Sequence, residues 1–120
     1  MKRAEMVHLR GSDMQFLVEA EPEGGVRVAG ELDMSTVNDL LVGVRPHLLA
    51  ATGDLTLDLS RLSFMDGAGL LAFLDMSKEL EGRGRLVLRS PSAPVARLLE
   101  LARAETIPNV SIVPGHSTAA

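Results

Sequence analysis

The sequence predicts an α/β domain of element order ββαβαβαβ, with helices mainly on one face of its sheet. Three observations lead there. Apolar residues alternate with polar ones in short runs, as where Leu55, Leu57 and Leu59 are separated by Thr56 and Asp58; this is the period of a strand with one buried face. Between such runs apolar residues recur at helical spacing, as in Val37, Leu40, Leu41, Val44 and Leu48. The alternation of the two patterns implies right-handed crossovers and a largely parallel sheet, opened by an antiparallel hairpin. Strands that alternate, rather than running unbroken in apolar residues, leave the second sheet face uncovered. At 120 residues the chain is expected to be a single domain, 1–120.

In order, residues 1–12 are polar and mixed, a flexible lead or an extra edge strand. Residues 14–20 (MQFLVEA) and 26–29 (VRVA) read as strands joined by the turn-rich Glu21-Pro22-Glu23-Gly24-Gly25. GELDMST leads into the first helix, where Pro46 is expected to kink the helix or end it early. A strand opens at Leu55, and a short link then brings in Phe64 and Met65. Asp66 begins a second helix carrying Leu70, Phe73, Leu74 and Leu80, closed by Gly82-Arg83-Gly84. Residues 85–90 form a strand, and residues 93–104 a helix with Val95, Leu98, Leu99 and Ala102 on one face. Val110–Val113 is a last short strand, and 115–120 (GHSTAA) a tail.

Composition removes several classes of function. Aromatics are 2% of the chain, with no Trp or Tyr, so bases have little to stack on. Net charge is −4 and no basic cluster exceeds Lys2-Arg3, which argues against nucleic acid as a partner. With no cysteine, disulfides and thiolate chemistry are out. No apolar run approaches the ~20 residues of a membrane span and no signal-peptide core opens the chain. The expectation is a soluble intracellular domain without direct membrane insertion.

The chemistry concentrates in two places. Asp66 is a natural N-cap, and Gly67 and Gly69 are expected to leave the first helical turn bare, its amides open to whatever approaches. An aspartyl nucleophile there would need a second Asp at position 68, which is Ala68. A phosphate cradle would add a Lys or a fuller glycine motif, and neither is present. Asp33, Ser35 and Thr36 form the second place, with Asp33 or Ser35 as cap and Asp39 at the positive end of the helix dipole. His8, His47 and His116 lie far apart, without acidic neighbours at metal-ligand spacing, and default to the surface.

The run LDLSRLSFMDGAGL resembles the signature of the STAS domain family, the anti-sigma factor antagonists and related domains at the ends of sulphate transporters. That signature is an apolar strand ending in Asp-Leu-Ser, an apolar pair, then Asp-Ser-(Ser/Thr/Ala)-Gly-Leu. One position departs: Gly67 stands where regulated antagonists carry the serine that a kinase-like partner phosphorylates. Weaker similarity runs from about Val26 to Pro114. The resemblance implies a STAS fold with a mixed sheet of four or five strands, no catalytic activity, no cofactor and no metal. It implies an ATP-binding anti-sigma factor of serine-kinase type as partner, in the cytoplasm, with a homodimer also compatible. The partner-binding residues it implies are Asp33, Ser35 and Thr36 on one loop and Asp66, Gly67, Ala68 and Gly69 on the other. The hydroxyls nearest to replacing the missing acceptor are Ser35, Thr36 and Ser63.

Two further readings stand beside this one. The chain is alternatively a STAS subunit of a signalling or transporter-associated assembly, docked to a permanent neighbour. DLTLDLSRLSFMDG also looks like the middle of a response-regulator receiver with Asp58 as acceptor. That reading lacks an adjacent acidic pair for Mg²⁺ and a lysine after the last strand, and it puts Asp58 inside a strand.

Overall fold

The computed structural model describes residues 6–9 and 15–115. The elements run β1 (Met6–Leu9), β2 (Gln15–Ala20), β3 (Val26–Leu32), α1 (Val37–Ala50), β4 (Leu55–Met65), α2 (Gly67–Glu79), β5 (Leu86–Arg89), α3 (Ala93–Leu101), a 3₁₀ turn (Ala104–Thr106) and β6 (Val110–Val113). The six strands form one sheet in chain order, antiparallel from β1 to β3 and parallel from β3 to β6. The α/β class and the alternation are as read from the sequence. Five strands are those of the expected order, and Met6–Leu9, within the stretch read as a flexible lead or an extra edge strand, pairs with β2 at the edge and makes six. His116 and the tail from there on lie outside the described residues, as does Met14.

One core cluster joins the apolar stripes of all three helices to the inward residues of the sheet. Leu40, Val44 and Leu48 come from α1, Phe73 and Met76 from α2, Val95 and Leu99 from α3, and Leu57, Leu59 and Leu88 from the central strands. Each such side chain contributes ~1.5–3 kcal/mol relative to exposure. Strands in sequential order with helices on one side have no point where the order reverses, and so no crevice of the kind that binds ligands in doubly wound sheets.

Several elements differ from expectation. No link interrupts β4, which runs unbroken to Met65. Its register against β3 passes from Arg27↔Asp58 to Ala29↔Arg61, and again from Gly30↔Leu62 to Glu31↔Phe64. Each step inserts one extra residue in β4, a bulge, so Leu59, Leu62 and Met65 are all buried although spaced by three. β3 likewise continues past Ala29 to Leu32. Helix α1 does not end early at Pro46. The hydrogen bond that Pro46 cannot make would go to the carbonyl of Val42, and both residues lie on the exposed side, within reach of water. Helix α3 ends at Leu101, before the expected Ala104, with Arg103 turned into the left-handed region at φ +54°. His47, expected at the surface, follows Val44 by three positions and is half-buried, its Nε2 enclosed without a hydrogen-bond partner.

The uncovered face of the sheet replaces a second helical layer with charge. Glu19, Arg27, Asp58 and Arg89 occupy facing register positions on β2, β3, β4 and β5. Arg27 reaches Glu19 at 3.5 Å and Glu21 at 3.7 Å, while Arg89 reaches Glu21 at 2.8 Å and Asp58 at 3.3 Å. Burial pushes the Asp58 carboxyl up, but hydrogen bonds with Ser60, Glu21 and Arg89 outweigh it and hold the pKa below its ordinary value. Asp58 therefore sits in mid-strand as a link of this row, away from the tip where a receiver would need its acceptor.

Candidate functional site

β3 and β4 end side by side, with Leu32 opposite Met65. The amide of Asp66 donates to the carbonyl of Leu32 at 3.1 Å, tying the start of one loop to the end of the neighbouring strand. The two stretches singled out in the sequence, 33–36 and 66–69, thus emerge together at one end of the sheet.

In the first stretch Asp33 Oδ1 accepts from the Ser35 amide at 2.9 Å and the Ser35 hydroxyl at 2.6 Å, a local turn of the kind short acidic side chains favour. Neither Asp33 nor Ser35 occupies the cap position of α1, contrary to expectation; Thr36 does, and it makes no side-chain cap bond. Its hydroxyl donates to the Glu31 carbonyl at 2.8 Å and accepts from the Asp33 amide at 3.0 Å. The Asp33 carbonyl accepts from the amides of Thr36 and Val37. With 4% exposure, Thr36 holds the loop together from within and presents no surface of its own. Asp39 lies in the first turn of α1, as expected for the dipole.

In the second stretch Asp66 is the N-cap of α2 that the sequence predicts. Its Oδ1 accepts from the amides of Ala68 at 2.9 Å and Gly69 at 3.3 Å. Those amides are therefore not open, a correction to the bare helix end expected above, and the carboxylate among them disfavours an anion. The two glycines differ sharply. A Cβ on Gly69 would lie 2.7 Å from Leu32 Cγ and Cδ2 and 2.8 Å from Met65 Cγ, whereas one on Gly67 would meet nothing within 4 Å. Of the remaining hydroxyls, Ser63 is exposed and donates to the Gly30 carbonyl at 3.0 Å, and Ser35 is exposed.

Sequence reasoning passed over three side chains at this end. Met34, Leu71 and Phe64 are 79%, 62% and 44% exposed. The signal for Leu71 was available, since it falls off the stripe formed by Ala72, Phe73, Met76 and Leu80. Phe64 was read with Met65 as one apolar pair, yet only Met65 is buried. Away from this end, a depression beside the β2–β3 turn is lined by Glu19, Ala20, Glu21, Pro22 and Arg27, whose charges are paired with one another. Among the described residues no three His, Asp or Glu could hold a metal ion, and no helix is long and apolar enough to cross a membrane.

A family model described as Mlab, STAS domain, matches residues 16–114. The chain belongs to the STAS domain family. The match starts ten residues before Val26, taking in β2. Among solved structures, this STAS domain is similar to a Thermotoga maritima protein assigned as an anti-sigma factor antagonist, at 23% identity and a TM-score of 0.66 over 87% of this chain and 90% of that one. It is similar to the anti-sigma factor antagonist SpoIIAA in its unphosphorylated form, at 27% identity and a TM-score of 0.62 over 87% and 91%. An anti-sigma factor antagonist from Mycobacterium paratuberculosis matches at 23% identity and a TM-score of 0.65 over 99% and 95%.

Proposed function

We propose that this STAS domain is an anti-sigma factor antagonist, a non-catalytic cytoplasmic module that docks an ATP-binding anti-sigma factor of kinase type. By occupying that factor it frees the sigma factor for transcription. The observation that carries the reading is the pair of loops 33–36 and 66–69, each braced by its own aspartate and emerging together beside exposed apolar residues. A surface already rigid before contact lowers the entropic cost of docking. Gly67 has no hydroxyl, so phosphorylation cannot release the partner at this position, and control falls to synthesis of the domain or to the partner.

A second reading has specific support. A permanent neighbour needs no phosphate switch, and the matching family model carries the name Mlab rather than that of an antagonist. Tagged full-length chain recovered from its native cells separates the two. An ATP-binding anti-sigma factor among the captured proteins is the expected result, and a membrane ATPase complex in its place would favour the assembly subunit. Incubation with the anti-sigma factor and ATP is expected to leave the intact mass unchanged. A phosphate on Ser35, Thr36 or Ser63 that abolishes binding would overturn control without phosphorylation.

A further inference from the structure

The side chains that β2 to β5 turn away from the helices form an ordered series of charges. Register sets Glu19 opposite Arg27, Arg27 opposite Asp58 and Asp58 opposite Arg89. Residues directly opposed on paired strands share a face, so the signs across four neighbouring strands run negative, positive, negative, positive. By the same register Leu17 and Ala29 lie on one side of this row, and Thr56 and Val87 on the other, all half-buried. Val113, opposite Arg89 on the last strand, is exposed. The ion pairs within the chain leave Arg27 and Arg89 with 36% and 37% of their side chains accessible. Along the row, a strongly acidic or strongly basic partner would meet like charges as often as opposite ones.

The row is instead complementary to its own reverse. A two-fold axis parallel to the strands, between β3 and β4, stacks a second sheet on the first with the row in opposite order. Glu19 then faces Arg89 of the second copy, Arg27 faces its Asp58, and symmetry repeats both pairs. Stacked sheets lie about 10 Å apart, a gap that long Arg and Glu side chains reach across. We infer that the uncovered sheet face joins two copies of this chain in an isologous dimer, with the charge row fixing its register. The apolar side chains beside the row exclude water, while the facing charges select partner and orientation more than they add affinity. The inference is independent of the antagonist reading. The loops 33–36 and 66–69 stand at the end of the sheet, beyond Leu32 and Met65, so each copy keeps its own docking end.

The test is analytical ultracentrifugation of the full chain from about 1 to about 500 μM. Wild type is expected to pass from one chain mass to two over that range, and at lower concentration in low salt than in high. Asp58→Arg and Arg27→Asp each set like charges face to face, and should sediment as monomers once circular dichroism has shown them folded. Mixed in equal amounts they should recover a dimer, because every facing pair is again opposite in sign. Glu19→Lys, at the end of the row, is a reversal that the fold tolerates more easily. It should weaken self-association about a hundredfold. A single chain mass for wild type throughout the range would overturn the inference. So would a dimer that survives Glu19→Lys, or folded Asp58→Arg and Arg27→Asp that fail to associate on mixing.

Discussion

Each end of the sheet carries a glycine that its neighbours force and a glycine that none does, but the two ends differ in what their charged side chains hold. At the end where β4 and β5 begin, side chains tie separate elements together. A Cβ on Gly84 would run into the backbone of Gly53. Arg83 donates to the carbonyls of Leu48 at 2.9 Å, Ala51 at 3.1 Å and Glu79 at 2.9 Å, joining the C-terminal ends of α1 and α2. Asp54 accepts the Arg85 amide, and the Asn109 amide group reaches the Ser77 carbonyl. At the end where β3 and β4 finish, Gly67 is free of neighbours and large apolar side chains stay in water. The aspartates there brace their own loops. Exposed apolar side chains occur at both ends, Met34, Phe64 and Leu71 at this one and Leu49 and Leu101 at the other, so what separates the ends is what their polar side chains hold.

Three substitutions would break or sharpen this contrast. Gly84→Ala should have the largest effect, ~3 kcal/mol or more of lost stability, because backbone cannot yield as a side chain can. Chemical denaturation measures it, and a loss below that of Gly69→Ala, where the added Cβ meets only side chains, would undo the distinction between backbone and side-chain contact. Next is Asp58→Asn, on the charged face between the two ends, at ~1–2 kcal/mol near neutral pH through weakened bonds to Arg89 and Ser60. Because the folded pKa of Asp58 is lowered, its contribution is complete above the ordinary value of 3.8 and is lost as pH falls through the lower folded value. The stability gap between variant and wild type should therefore close only in strong acid; a gap that closes near neutrality would remove Asp58 from the row. Smallest in stability is Asp66→Ala, ~1 kcal/mol through the lost cap. Its effect on anti-sigma factor affinity should exceed that figure, and a variant that melts lower but binds normally would reduce Asp66 to a purely structural residue.

Local features were legible in advance. The Asp66 cap depends on residues two and three positions away, and the stripes of α1 and α3 follow from helical period alone. Thr36 was legible as part of the polar loop ahead of α1 but not as its buried brace, because its main acceptor, the Glu31 carbonyl, becomes available only once β3 runs on to Leu32. The bulges in β4 escaped because an extra residue is defined by the strand beside it, and period two simply stops after Leu59.

By itself, then, the sequence determined the α/β alternation, the hairpin start, the capped helix at Asp66 and the family signature around it. Each rests on spacing within a few residues, where backbone geometry leaves few alternatives. Tertiary structure alone decided which of two neighbouring glycines is forced and which is free, since that depends on Leu32 and Met65 arriving against one and nothing arriving against the other. It also decided the charged row, whose Arg89–Glu21 pair spans 68 residues of chain. Such contacts are set by strand order and register, which bring distant residues together in a way that no local pattern encodes.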